Sequence, residues 1–299
     1  MALVSRKLRA TITLAAISGQ APLKPFPNSG GADTVIIENL RMSAEIMNAG
    51  GASMGELHLT IYGLSRSTMN RLSTIGLKLN ELPKNAIVLE AGDDQSGMST
   101  VFVGFAQSCL ADFNASPDVA FHILGFTLAP QSVESAEASS FPGYADVATI
   151  LSGLATRMGL KFENNGVSGS LSNSYFSGSY KQQAQDCVEH AGISWNAGEG
   201  GVLAIWPKFG SRGGAVPLVS PQTGLIGYPT FSAMGVDCRT LFNPSIGFGG
   251  KIKLQTSLEN ASGIYAVQGL HHQLACEMPD GPWFSTLNCY TPSTRAPSG

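Results

Sequence analysis

A chain of 299 residues with 43 % apolar side chains has room for about two domains and material for a core, which excludes a globally disordered protein. Charge is scarce: Asp, Glu, Lys and Arg make up 13 %, about half the usual quarter, and 21 acidic against 18 basic residues leave a net charge of −3. No basic run exceeds Arg6-Lys7-Leu8-Arg9, so phosphate-driven affinity for nucleic acid is not indicated, while 35 glycines and 16 prolines point to a β-rich chain whose surface neighbours cover.

The opening, Met1 to Gly19, mimics a signal peptide in its basic start and short apolar stretch. Against that, Leu8, Ala10, Ile12 and Leu14 alternate with Lys7, Arg9, Thr11 and Thr13, the period of a half-buried strand, and the strand is the preferred reading. The proline- and glycine-rich run 22–31 tolerates no regular element. Strands are expected at Val35–Ile37, Leu57–Tyr62, Asn85–Glu90, Thr100–Phe105 and Val119–Leu124. The middle pair reads as a hairpin around Gly92–Gly97, and a short helix is expected over Arg66–Ile75. Short strands with repeated turn signals read as a barrel or a sandwich.

A polar linker over Ala129–Ser140 changes the character of the chain. Val147, Ile150, Leu151, Leu154 and Met158 then form one helical stripe, with Asp146 in the first turn and Gly159 as its stop. Ser179 is a natural N-cap for a second helix whose stripe is Tyr180, Ala184, Cys187, Val188 and Ala191, ended by Gly192. Each helix leads through its glycine into a short aliphatic–polar–aromatic strand, at Leu160-Lys161-Phe162 and Ile193-Ser194-Trp195, so one helix–strand unit is used twice. Val202–Trp206 adds a strand that Pro207 closes. From Phe209 the chain is β again: turn-rich at 213–217, 221–224 and 227–229, then strands at Lys251–Gln255, Tyr265–Leu274 and Ser285–Tyr290, with a frayed tail from Thr291. The fold class is mainly β with a smaller α+β part, divided into a first β domain at 1–130, an α+β domain with two helices at 131–208 and a second β domain at 209–299.

Chemistry is hard to find. Gly51-Ala52-Ser53-Met54-Gly55 matches the G-x-S-x-G nucleophile elbow, but an alternating strand follows it where a helix is needed. His271 and His272 point to opposite faces of a strand, and His58, His122 and His190 lie in other elements without metal-ligand spacing. Asp93-Asp94 reads as turn chemistry and lacks the pattern of a calcium loop. Gly247–Ile252 lacks the spacing of a phosphate loop and reads as a strand-initiating turn. Trp195, Trp206 and Trp283 admit a sugar-stacking platform, though core or interface anchors are the commoner use. Cys109, Cys187, Cys238, Cys276 and Cys289 form no C-x-x-C pair and read as reduced, intracellular core residues. No catalytic, cofactor-binding or metal-ligating residue is assigned, and no cofactor is expected.

Several blocks together resemble the baseplate hub proteins of contractile-tailed phages of the Mu-like and related myophage type. They are Ile61–Ser65 with Met69–Ser73, Val103–Ala106 with Asp112 and Pro117–Val119, Phe162–Val167, Tyr175–Tyr180, Gly224–Phe231, Leu241–Pro244 and Pro279–Phe284. Such proteins are similar to the upper half of phage tail spikes and of the type VI secretion spike. The resemblance implies two barrel-like β domains joined through a helix-containing part, and a homotrimer whose ring adapts a six-fold tail tube to a three-fold spike. It further implies contacts with other baseplate proteins, a central channel that passes DNA without binding it specifically, assembly in the host cytoplasm and residence in the virion. Two other readings are open: a receptor- or glycan-binding tail module using the tryptophans, and a tail-associated hydrolase using Ser53 with a histidine.

Overall fold

The computed structural model describes residues 5–15, 26, 33–51, 53–74, 85–114 and 116–292, and it is mainly β. The run 22–31 apart from Phe26, the ends of the signal-like opening, Ile75 and the tail from 293 lie outside the described residues. Two compact units divide the chain, and neither is continuous in sequence. Unit 1 holds Met1–Ile46, Glu56–Ala129 and His272–Trp283; unit 2 holds Met47–Gly55, Pro130–His271 and Phe284–Gly299.

Unit 1 is built from β1 (Arg6–Thr13), β2 (Thr34–Ile37), β3 (Met42–Asn48, its last two residues in unit 2), β4 (Glu56–Tyr62), α1 (Arg66–Leu72), β5 (Ala86–Asp93), β6 (Gly97–Asp112) and β7 (Ala120–Phe126). The strands run in the order β3-β4-β7-β6-β5-β1-β2. Period-two alternation places Leu8, Ala10 and Ile12 of β1, Leu57, Leu59 and Ile61 of β4, and Ile87 and Leu89 of β5 in the core. The opposite face carries the charges, with Ile36 and Leu110 exposed among them. Arg9 lies across from Glu90 and pairs with it and with Glu38, while Lys7 pairs with Asp94. The β5–β6 hairpin closes because the Asp93 carboxylate accepts the Gln95 and Ser96 amides. β3 was absent from the sequence reading although Met42, Ala44 and Ile46 alternate into the core.

Unit 2 begins differently from the sequence expectation. The stretch read as a linker holds α2 (Ala129–Val133) and the start of β8 (Ser139–Asp146). Then come α3 (Val147–Arg157), β9 (Lys161–Asn164), β10 (Ser170–Phe176), α4 (Tyr180–Ala191), β11 (Ile193–Ala197) and β12 (Val202–Pro207). Asp146 caps α3 by accepting the Thr149 amide, one position outside the first turn where the sequence placed it, and Ser179 caps α4 through the Gln182 amide. Gly159 (φ +73°) and Gly192 (φ +62°) stop the helices in the left-handed region. The repeated helix–strand unit is present: β9 and β11 both pair with β12, β9 in parallel and β11 antiparallel. β8 and β10 form a separate two-stranded ribbon that the sequence reading omitted.

The rest of unit 2 comprises β13 (Leu218–Val219), β14 (Leu225–Phe231), β15 (Gly235–Leu241), β16 (Lys251–Leu254), β17 (Gly263–Cys276) and β18 (Trp283–Tyr290), with β17 to His271 and β18 from Phe284 inside the unit. β14 is an edge strand next to β15, which pairs with β18. The Gly227-Tyr228-Pro229 turn signal does not end β14. It is a bulge, absorbed as a register shift between Ile226 and Thr230. The inner face packs Leu225, Val236, Cys238, Ile252, Val267 and Leu287 into one core.

Candidate functional site

Two features of unit 2 stand out in a chain so short of charge. The first is a half-buried polar node centred on Arg212, in the segment after β12. Its guanidinium forks onto Glu163 of β9, Nε to Oε1 at 3.2 Å and Nη2 to Oε2 at 2.9 Å. Nη1 donates to Glu199 Oε2 and to the Phe248 carbonyl, both at 3.3 Å. Asn165 donates to Glu163 and Asn196 to Glu199, each at 2.8 Å, and the Arg212 amide donates to the Gly249 carbonyl at 2.7 Å. The forked hydrogen bonds from Arg212 hold the Glu163 carboxyl below the usual carboxylate range. Desolvation pushes Glu199 the other way, and the Arg212 charge only partly offsets it. Desolvation also acts to lower Arg212, but its two carboxylate partners outweigh it and leave the guanidinium above its ordinary value. Every member is satisfied by another. The node ties β9, the turn before β12 and the turn before β16 together, and it offers no open valence to a substrate.

Beside the node, Gly249 (φ +77°) passes beneath the Trp206 ring so closely that a Cβ there would lie 2.8 Å from it. Gly247–Gly250 is thus the strand-initiating turn read from the sequence, shaped to admit a tryptophan. Trp206, Phe248, Trp195 and Tyr290 line a cavity of about 500 Å³, with Phe209 and Met234 among its exposed neighbours. The Tyr290 hydroxyl donates to the Gly210 carbonyl.

The second feature is the outer face of β14, β15 and β18. Ile226 lies across from Arg239, Arg239 from Thr286, and Leu241 from Phe284. Ile226 and Leu241 on this face are 38 % and 48 % exposed. The Arg239 guanidinium carbon stands 3.4 Å from the centroid of the Phe284 ring. Apolar groups therefore occupy positions that an open sheet normally gives to polar ones.

The residues singled out in the sequence are dispersed. Ser53 is exposed in the turn before β4, with no helix after it. Trp195 and Trp206 are buried in unit 2, whereas Trp283 is buried in unit 1 near Arg6. A stacking platform needs an exposed ring face, and none of the three offers one. His272 is buried and His271 half-buried, as opposite strand faces require. All five cysteines are buried and unpaired, and burial pushes Cys109 and Cys187 up to about 12. Among the described residues no group of three or more His, Cys, Asp or Glu is placed to hold a metal ion, and no helix is long and apolar enough to cross a membrane. The sequence reading passed over Arg212 and Glu199 as ligands of one another. The available signal was their rarity: each charge near a run of glycines demands a partner.

Residues 24–289 match the family model described as baseplate hub gp41. No curated protein matches the chain by sequence. Among solved structures, a tail protein from Neisseria meningitidis MC58 is similar with a TM-score of 0.61 at 9 % identity, covering 95 % of this chain and 96 % of its own. The 43 kDa tail protein of prophage MuSo2 from Shewanella oneidensis is similar with a TM-score of 0.60 at 9 % identity, covering 97 % of each chain. The E. coli c3393 protein gives a TM-score of 0.57 at 9 % identity over 85 % of this chain and 74 % of its own; it is described as a type VI secretion component with structural similarity to the T4 tail proteins gp27 and gp5. At such identities the likeness is one of fold.

Proposed function

The chain belongs to the baseplate hub gp41 family, a structural component of the phage tail baseplate, and from that premise we propose that three copies form its central ring. The ring joins a six-fold tail tube above to a three-fold spike below, contacts other baseplate proteins and surrounds the DNA channel. It assembles in the host cytoplasm and resides in the virion. No catalytic role and no cofactor are assigned to it. The division into a first barrel-like part at 1–130, an α+β part at 131–208 and a second barrel-like part at 209–299 is carried forward as the functional layout.

The observation that carries this reading is the family match over residues 24–289 on a fold shared end to end with phage tail proteins. The c3393 protein's described likeness to gp27 and gp5 supports a place beside a spike. A charge content of 13 % supports extensive burial by neighbours, because obligate interfaces favour apolar and aromatic residues over Lys and Glu. A net charge of −3 suits a conduit, since a basic lumen would grip passing phosphates. Negative-stain imaging and sedimentation velocity test the proposal. A three-fold annulus with an open centre is the expected result; a monomer at every concentration, unmoved by adding the spike protein, overturns it.

A further inference from the structure

The chain leaves β18 beside the cavity of unit 2. Tyr290, the last residue of that strand, lines the cavity, and the Thr291 amide donates at 3.2 Å to the carbonyl of Met234, a second lining residue. Residues 293–299, Ser-Thr-Arg-Ala-Pro-Ser-Gly, follow from there. The cavity, about 500 Å³, is walled mainly by aromatic and aliphatic side chains. Phe209 in its lining is half exposed and sits at φ +61°, a conformation that a bulky residue holds only where its surroundings impose it. Two charged side chains belong to the lining, Glu189 of α4 and Lys208 after β12, and neither makes an ion pair among the described residues. Glu189 accepts a hydrogen bond from Gln185 at 2.9 Å, while Lys208 Nζ stands 5.6 Å from the centroid of the Phe209 ring.

We propose that residues 293–299 of the same chain occupy this cavity, with Pro297 packed among the aromatic rings and Arg295 paired to Glu189. The inference concerns one copy of the chain and does not rest on the trimeric reading. Reach permits it: five residues in polyproline II, from Pro292 to Pro297, cover about 15 Å. Composition favours it, because prolines at 292 and 297 hold the segment in the extended form that aromatic-lined grooves take up and lower the entropy lost on docking. Charge selects the direction. Arg295 is the sole ionic side chain of 293–299, and Glu189 is the sole carboxylate of the lining. Lys208 repels Arg295 and leaves Glu189 as its one favourable partner there.

Fluorine NMR of the chain labelled with 5-fluorotryptophan tests this, because Trp195 and Trp206 line the cavity whereas Trp283 lies in unit 1 and serves as the internal control. Stopping the chain after Pro292 is expected to shift the Trp195 or Trp206 resonance and leave that of Trp283 in place. Adding the peptide of residues 293–299 is expected to return the shifted resonance. Arg295→Glu and Glu189→Lys are each expected to move it towards the truncated position, and the charge-swapped double variant to move it back. Circular dichroism checks the fold of each; should Glu189→Lys fail to fold, truncation, Arg295→Glu and the peptide carry the test. A truncated chain whose spectrum matches the full chain's overturns the proposal. So does a double variant no nearer the wild type than either single one, since the pairing then fixes nothing. A shift that grows with protein concentration places the segment in another copy's cavity and overturns the same-chain occupant.

Discussion

Arg212 shows what a single side chain can do where charge is rare. Its guanidinium satisfies two carboxylates and a backbone carbonyl at once, so removing it leaves Glu163 and Glu199 facing each other without a cation. Arg212→Met is expected to destabilise the protein by about 1–3 kcal/mol, less than the about 3–5 kcal/mol of breaking a fully buried pair because Arg212, Glu163 and Glu199 are all partly solvated. Arg212→Lys keeps the charge but loses the fork and is expected to recover only part of that; urea midpoints measure both. The node also has a pH signature. The folded Glu163 holds its proton more weakly than the unfolded chain, whose carboxyl titrates near 4.5, so its stabilisation is complete above that pH and is lost as pH falls through the lower folded value. Glu199 has the opposite sign: desolvation raises it, so its contribution weakens as pH rises above the same value. Glu163→Gln is therefore expected to unfold with a shallower acid limb than the wild type, read from denaturant midpoints below about pH 4.5. An acid limb as steep as the wild type's would show that Glu163 is not held low by Arg212.

The elements differ in how plainly the sequence declares them, and the difference is physical. α3 and α4 carry full apolar stripes with matched caps and glycine stops, and both appear within a residue of their expected limits. Their caps predict their own cost: Asp146→Ala and Ser179→Ala are each expected to lose about 1 kcal/mol, measured by thermal melting, with Ser at position 146 restoring most of the first. Strands with strict alternation, such as β1 and β4, were equally legible. β14 was not, because the Gly227-Tyr228-Pro229 bulge imitates a turn, and β15 follows it with only three inward residues, Val236, Cys238 and Thr240, one of them polar. The β8–β10 ribbon was hidden for a related reason. It buries few side chains, principally Ser139 and Phe176, so it leaves almost no hydrophobic period to read. The Arg212 node escaped because hydrogen-bonding partners as far apart as residues 163 and 212 meet only once the sheet order is known. What periodicity records is burial within the chain. It is silent on surfaces that other chains cover, and those are the surfaces a hub protein uses.

At the scale of the whole molecule, the path of the chain decides which pieces can stand alone. It passes between the two units after residues 46, 55, 129, 271 and 283. Unit 1 therefore needs His272–Trp283, where the Ala275 amide donates to the Pro282 carbonyl, Cys276 Sγ donates to the Leu40 carbonyl at 3.3 Å and Arg6 reaches the Gly281 carbonyl at 3.1 Å. Unit 2 in turn needs Met47–Gly55, where the Gly51 amide donates to the Trp195 carbonyl at 3.2 Å and Gly50 lies against the Phe248 ring. A layout by function at 130 and 208 consequently does not define independent folding pieces. The fragment 1–130 lacks the C-terminal segment that completes its unit and is expected to show poor amide dispersion and early hydrogen exchange. The fragment 131–299 lacks the 47–55 loop and is expected to leave the Trp195 and Trp206 environment loosened, visible as red-shifted tryptophan emission. Co-expression of the two fragments is expected to recover both signatures, because each then finds its missing strand or loop in the other. If 1–130 alone gives a dispersed spectrum and native-like exchange protection, the residues 272–283 are an ornament on unit 1 and its core is closed without them. The return of the chain to unit 1 would then contribute nothing measurable to that unit's stability.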